Sequence, residues 1–405
     1  MDFSLSPVEL AFRDEIRSWL QANVPGDYGT PAWPKPADEA GQHAASHQWV
    51  TKLHQGGWGA ITWPKQYGGR DATPTEQFIF NDEMAAYRTP VPFTIIGIGM
   101  AGPTIMSFGT PAQRDRYLAK IVSGEEIWCQ GFSEPNAGSD LANLATSAVP
   151  SGDHYVVNGQ KIWTSFGPIA GWCLLLVRTD PVAAKHKGLS YLLVDMRSPG
   201  VEIRPIRQIT GDSEFSEIFF TDVRVPKANL LGPENDGWRV AIRTLMHERT
   251  NIAALVYTNF KRELRDVVSL TKRLTRNGRP LSADPLVRRK LVHFYGVAET
   301  MRLSNLRMRA GKTAADDPGP IGSIFKLIWA TSNQAMQELA VEVLGPYAEL
   351  VSGRDAERGD EGAWLKRYLR SLANSIEGGT SEILRNIVAE RVLGLSRGGA
   401  KEKSQ

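Results

Sequence analysis

Cysteine is nearly absent from this chain of 405 residues: only Cys129 and Cys173 occur. Neither has metal-ligand spacing around it, and the seven histidines do not cluster, which argues against a disulfide scaffold and against a zinc site. Long apolar runs are also missing. The longest, Val91 to Gly102, falls well short of the roughly 20 residues that a membrane-spanning helix requires. Met1 to Glu15 carries acidic residues and no apolar segment ending in a cleavage site, so no signal peptide is expected there, and a cytoplasmic location is. There is no block of like charge: 47 basic residues stand against 44 acidic ones, for a net charge of +3. That balance gives little support to a nucleic-acid partner and suits a phosphate-bearing ligand equally well. No internal repeat is present, and no glycine-rich strand-turn-helix fingerprint opens a βαβ unit, which removes the dinucleotide-binding reading.

What is there is ordinary globular composition, 42% hydrophobic and 22% charged, with a change of texture along the chain. Residues 1–125 read as helical. Apolar positions recur at helical spacing from Pro7 to Ala22, Ser46 to Trp58 and Thr75 to Ala86, and Thr110 is placed to cap a helix that opens at Pro111. Residues 126–232 hold short β-rich runs, at His154–Val157, Trp172–Val177, Leu189–Val194, Val201–Ile203 and Glu217–Phe220. Helical periodicity returns over 233–395, and the polar stretch 396–405 reads as a flexible tail. The expected fold is α+β and multidomain: an N-terminal helical domain, a central β-domain and a C-terminal helical domain.

Two segments carry candidate chemistry. Phe132-Ser-Glu-Pro-Asn-Ala-Gly-Ser-Asp140 offers a hydroxyl, several amides and glycine-permitted backbone, and suits either the cradling of an anion or heterocycle edge or a plain tight turn. Asn158-Gly-Gln-Lys-Ile-Trp-Thr-Ser-Phe-Gly167 reads as a hairpin signal followed by a tryptophan among polar residues, a residue type that flanking a strand is usually core.

In wording and separation, these segments resemble the two flavin-binding signatures of the acyl-CoA dehydrogenase family. The resemblance covers nearly the whole chain, with Gly102-Pro-Thr upstream, Val225-Pro-Lys-Ala-Asn-Leu-Leu-Gly232 closing the β-rich region and Gly378-Gly-Thr-Ser-Glu-Ile383 before a last helix. It implies a C-terminal four-helix bundle and FAD as cofactor. By position, Phe132 and Ser133 would address the flavin pyrimidine edge and Ser139 the pyrophosphate. Trp163 would stack on the ring, Ser165 would meet its N5 side, and Thr380 and Glu382 would contact the cofactor from the C-terminal segment. The implied substrate is an acyl-CoA thioester and the implied electron acceptor an electron-transfer flavoprotein.

Removing an α-proton needs a carboxylate base and donors for the developing enolate. Many family members carry the base directly before Gly-Thr in the C-terminal signature, where this chain has Gly378, with Glu377 one residue early. On a helix, one residue turns a side chain by about 100°, so Glu377 is no simple substitute. Other members carry the base on the first long helix of the bundle, which matches Glu248-Arg249. Ala241, Leu245, Glu248, Ile252 and Leu255 share one helix face, so Glu248 interrupts an apolar stripe. It is either the base or a structural glutamate with a basic partner. The resemblance favours the base and leaves Glu377 as the rival. It also implies that the thioester carbonyl is held by the backbone amide of Gly378 and a ribityl hydroxyl, with Arg249 near the CoA.

The chain departs from the homotetrameric pattern in two places. Leu274-Thr-Arg-Asn-Gly-Arg-Pro-Leu281 lacks the Phe-Gly that would reach a neighbour's FAD, and Ala340-Val-Glu-Val-Leu-Gly-Pro346 has Glu342 for glutamine and Pro346 for glycine. A charge replaces a neutral donor and an amide is lost, and both changes oppose anion binding. The expectation is a hetero-oligomer with a related subunit, resembling actinobacterial members that act on CoA thioesters of steroid side chains. Alternatives are a non-catalytic partner subunit, which would need none of Ser133, Ser139, Trp163 or Glu248, and a flavin oxidase on the same fold.

Overall fold

The computed structural model describes residues 4–24, 36, 39–87, 89, 92–310, 321–349 and 363–396. The tail beyond Ser396 therefore lies outside the described residues. The chain divides into two compact units, one drawn from Pro7–Phe80 and Tyr87–Glu248, the other including Asn81–Ala86 and the chain from Arg249 onward.

In the first unit, helices α1 (Pro7–Asn23), α2 (Glu39–Gln55), α4 (Gly102–Phe108) and α5 (Pro111–Ser123) precede the strands; α3 (Pro74–Ala86) runs across its edge. α1 buries Phe12, Ile16 and Leu20, a stripe at intervals of four. α5 opens with the expected cap: the Thr110 hydroxyl accepts from the Gln113 amide, and the Gln113 side chain accepts from the Thr110 amide, with Pro111 in the first turn.

The strands are β1 (Trp128–Gly131), β2 (Ser147–Ser151), β3 (His154–Ser165), β4 (Trp172–Arg178), β5 (Leu189–Asp195), β6 (Val201–Ile206) and β7 (Phe215–Pro226). They form one sheet in the order β1-β4-β2-β3-β7-β6, with β5 antiparallel to β4. Because β4 is buried on both faces, it reads as a continuous apolar run. Its alternation separates two cores: Trp172, Leu174 and Leu176 face the helices, against Ile105, Leu118, Ile121 and Ala241, while Cys173, Leu175 and Val177 join Tyr155, Val157 and Val223. Cys129 and Cys173 lie opposite one another on β1 and β4, and burial pushes the Cys129 thiol pKa up.

One local expectation is corrected. Asn158-Gly159 is not a hairpin turn but lies inside β3, and the β2–β3 turn is at Gly152-Asp153. Gly159 sits where the pairing with β7 slips between Val157 and Gly159, and a Cβ there would fall 2.6 Å from the Thr146 hydroxyl and 2.7 Å from its Cα. The glycine permits a bulge and a close strand approach, not a reversal.

The second unit contains α6 (Gly237–Arg273) from Arg249 on, α7 (Pro285–Ala310), α8 (Ile321–Leu344), α9 (Ala363–Ser371) and α10 (Ser381–Arg391). Here Tyr257, Phe260, Phe294, Met301, Met336 and Trp364 are buried, and α8 packs against α7, α9 and α10. The segment Leu274 to Leu281 is a two-residue hairpin, β8 (Thr275–Arg276) with β9 (Arg279–Pro280), turning on Asn277 and Gly278, both at positive φ.

Candidate active site

In the first unit, the segment after β1 is tied down from below. The Phe132 carbonyl accepts from Lys161 Nζ at 3.0 Å, and Glu134 Oε1 accepts from the same ammonium at 2.8 Å. Glu134 also accepts from the Ala145 and Thr146 amides, at 2.7 and 2.8 Å. Lys161 has no solvent exposure and Glu134 is buried. Burial pulls the Lys161 ammonium pKa down to about 8, although Glu134 opposes the fall. For Glu134, burial pushes the carboxyl up, but the Lys161 charge and the amide donors outweigh it and the net direction is down. The Ser133 carbonyl accepts from the Ile162 amide at 2.9 Å, so β3 holds the segment at a second point. Ser133 is half-buried, and its own amide and hydroxyl have no partner among the described residues. Ser139 is exposed, and next to it Asp140 pairs with Lys185 at 2.6 Å.

Two residues beyond Lys161, the chain does what a core tryptophan would not. Trp163 has φ +61 and stands 57% exposed, edge-on to Phe215 at 6.2 Å. The backbone leaves the ladder between Lys161 and Thr164, and a bulky residue at positive φ costs on the order of 1–3 kcal/mol. Ser165 is half-buried at the end of β3, opposite Phe215.

A hydroxyl cluster links this segment to α6. The Phe132 ring meets Tyr191 edge-on at 5.7 Å. Tyr191 OH lies 3.2 Å from Thr244 Oγ1, which lies 3.0 Å from Thr104 Oγ1. Thr104 belongs to the Gly102-Pro-Thr segment, and all three hydroxyl residues are fully buried. Burial drives the Tyr191 phenol pKa up. Glu248, one turn beyond Thr244, is half-buried. Its neighbour His247 has a pKa lowered to about 4, by burial first and then by Arg243. The side chain of Arg249 lies outside the described residues.

In the second unit, Gly378 and Gly379 are both left-handed, with φ +60 and +93. The buried Lys326 donates to the Gly379 carbonyl at 2.7 Å. The Thr380 hydroxyl caps α10 by accepting from the Ile383 amide at 3.3 Å. Glu382 is exposed and pairs with Arg385. Glu377 accepts from Arg370 through both oxygens and from Asn374 at 2.9 Å. Asn374 continues a polar chain through Asn333 and Gln337 to Glu263, whose burial pushes its pKa up. Glu342 pairs with Lys290.

The structure thus joins Phe132, Ser133, Trp163 and Ser165 along β3, links Phe132 to the helix of Glu248, and puts Gly378, Thr380 and Glu382 in one turn of the other unit. Ser139, on the same segment as Ser133, is exposed. Sequence reasoning passed over Lys161, Glu134, Tyr191, Thr244 and Lys326. Lys161 had a signal: it continues the odd-numbered run of Tyr155 and Val157, the buried face of β3. A cleft of about 480 Å³ among Arg116, Tyr117, Trp172, Asp195 and Arg224 is lined by none of these residues. Among the described residues, no group of histidine, cysteine or carboxylate side chains could hold a metal, and no helix is long and apolar enough to cross a membrane.

Family models match along the chain: acyl-CoA dehydrogenase N-terminal domain at residues 6–125, middle domain at 129–223 and C-terminal domain at 235–393. Acyl-CoA dehydrogenase IpdE1 of Mycolicibacterium smegmatis is 39% identical over 397 residues, covering 95% of this chain and 97% of that protein. Among solved structures, the ChsE4-ChsE5 complex from Mycobacterium tuberculosis superposes with TM-score 0.83 at 32% identity, covering 98% of this chain and 100% of the matched one. The Tcur3481-Tcur3483 steroid ACAD does so with TM-score 0.82 at 30% identity, covering 98% and 100%.

Proposed function

The chain belongs to the acyl-CoA dehydrogenase family, and on that premise we propose that it desaturates the α,β-bond of an acyl-CoA thioester, giving a trans-2-enoyl-CoA, with Glu248 as the base. FAD, when bound, supplies the hydride acceptor at its N5. The residues present fit such a group: an indole held out by left-handed backbone offers a flat ring a stacking face, and the unengaged amide and hydroxyl of Ser133 offer donors to a heterocycle edge.

Each side chain then has a role of its own. Phe132 and Ser133 address the pyrimidine edge, Trp163 and Ser165 the ring, Ser139 the pyrophosphate, and Thr380 and Glu382 the cofactor from the C-terminal segment. Glu248 takes the α-proton. The Gly378 amide donates to the thioester oxygen as negative charge develops there, a donor that does not depend on any side chain. By its position in the family pattern, Arg249 is assigned to the CoA moiety. The single observation that carries this reading is the buried cluster Phe132–Tyr191–Thr244, which ties the flavin segment to the helix turn before Glu248. Glu377, its rival by position, is held by Arg370 and Asn374.

The substrate class is a bulky CoA thioester such as a steroid side chain, and the working assembly is a hetero-oligomer in which a related subunit completes the adenosine side of the FAD site. Two features support this. Glu342 is committed to Lys290, and Leu274 to Leu281 closes on itself as a hairpin. The electrons leave to an electron-transfer flavoprotein.

The deciding experiment is anaerobic bleaching of bound flavin by a panel of acyl-CoA thioesters, including one with a polycyclic acyl group, using wild type, Glu248→Gln and Glu377→Gln with candidate partner subunits. Bleaching lost only in Glu248→Gln, with flavin retained, is the expected result. Loss only in Glu377→Gln moves the base, and no bleaching by any wild-type preparation overturns the reading.

A further inference from the structure

Among the described residues, no charged side chain is more completely enclosed than Lys161. An ammonium out of water is costly, and a buried ion pair exchanged for neutral residues of similar volume often leaves stability unchanged or raised. Stability alone is therefore a poor reason for the Lys161–Glu134 pair. Its position supplies another.

The carbonyl that Lys161 Nζ touches, 3.0 Å away, belongs to the peptide joining Phe132 to Ser133. The N–H of that same peptide is the Ser133 amide, which has no partner among the described residues. Hydrogen bonds polarise one another through a peptide group, so a cation on the carbonyl oxygen makes the N–H a stronger donor. The peptide is also held rigid. Glu134 fixes the ammonium at 2.8 Å and is itself fixed by the Ala145 and Thr146 amides, while the Ile162 amide holds the Ser133 carbonyl on the far side. Lys161 lies on the same strand two residues before Trp163, so one side chain joins the two segments that face the ring.

We propose that Lys161 is a positioning residue for the flavin: anchored on Glu134, it fixes and polarises the Phe132–Ser133 peptide so that the Ser133 amide stabilises the negative charge which reduction places on the pyrimidine edge. The inference rests on the flavin reading above and adds to it a role in setting the reduction potential. The groups facing the ammonium are the Glu134 carboxylate, the Phe132 carbonyl and the Cys173 thiol.

Lys161→Met alone strands a buried carboxylate and is expected to fold poorly. The test therefore uses Lys161→Met combined with Glu134→Gln, which keeps the volumes and removes both charges. FAD is titrated into the flavin-stripped assembly by tryptophan fluorescence, and the midpoint potential of the bound flavin is read against reference dyes. The double variant is expected to fold, to bind oxidised FAD several-fold more weakly, and to lose about tenfold more in affinity for the reduced form, which lowers the two-electron potential by about 30 mV. Wild-type potential in a folded double variant overturns the proposal. So does a double variant that cannot fold, because the pair is then demanded by the fold itself. Failure of the wild type to bind FAD overturns the functional reading and this inference with it, whereas FAD binding by wild type with an unmoved potential in the variant overturns this inference alone.

Discussion

Arg370 holds Glu377 at two points, Nη1 to Oε1 at 3.1 Å and Nη2 to Oε2 at 2.8 Å, and Asn374 adds an amide to Oε1 at 2.9 Å. A carboxylate gripped through both oxygens is a strut for the turn that follows it, Gly378-Gly379. The polar chain through Asn333 and Gln337 to Glu263 carries that strut into the bundle. The carboxylate that position offers as the rival base therefore also braces this turn.

Glu377→Gln is accordingly expected to keep flavin bleaching by substrate and to lose about 1 kcal/mol of stability, since both partners are about one-third exposed and screened. Urea unfolding set beside stopped-flow bleaching checks this. A bleaching rate that collapses at unchanged stability contradicts it.

Trp163 offers a second test. Its indole is exposed and its backbone strained, so it contributes little to the core. Trp163→Ala should leave the thermal midpoint of the flavin-free protein nearly unchanged while weakening FAD binding up to about tenfold, the range of one aromatic stacking contact. Equilibrium dialysis of FAD with a parallel melt separates the two effects.

Thr244, Tyr191 and Thr104 share a buried hydroxyl cluster. Thr244→Val leaves the Tyr191 hydroxyl buried without its partner, at a cost of about 1–3 kcal/mol. Adding Tyr191→Phe removes the stranded group, so the double variant should be destabilised by less than the sum of the singles. A double-mutant cycle in urea that proves additive shows that the two do not act together.

His247 sets a pH dependence. Its folded pKa of about 4 lies below the 6.5 of a free imidazole, so as pH falls the unfolded chain takes up this proton first. Stability should then fall between about pH 6.5 and 4 and level off below. His247→Gln should show a shallower loss than wild type over that window in urea midpoints. Parallel curves refute the assignment.

Gly159→Ala is expected to destabilise severely. The new Cβ would lie under 3 Å from the Thr146 hydroxyl and Cα, and the glycine has φ +150. Because Thr146 also donates to Glu134, the substitution should weaken FAD binding along with the fold. Full solubility with wild-type affinity would count against the close strand approach.

Much of the frame was legible in the chain. The stripe Phe12, Ile16, Leu20 and the Thr110-Pro111 cap marked helices because helical order repeats locally, over three to four residues. The apolar runs of β4 and β5 marked strands for the same kind of reason, and the structure adds that both are buried on both faces. The site was half legible. Phe132, Ser133, Trp163 and Gly378 stood out by their order in recognisable segments, while Asn158-Gly159 misled, because the dipeptide that favours a hairpin also permits a bulge and only the neighbouring Thr146 selects between them.

The sequence by itself determined the order of helical and β-rich regions, the family resemblance and the short set of candidate side chains, since each of these depends on residues near one another in the chain. Only the tertiary structure decided that Arg370 grips Glu377, that Lys161 reaches the Phe132 carbonyl, and that Tyr191 meets Thr244. Those facts depend on pairs 7 residues apart for Arg370 and Glu377, 29 for Lys161 and Phe132, and 53 for Tyr191 and Thr244. Burial and ion pairing are set by what the fold brings against a side chain, and no local pattern states what that will be.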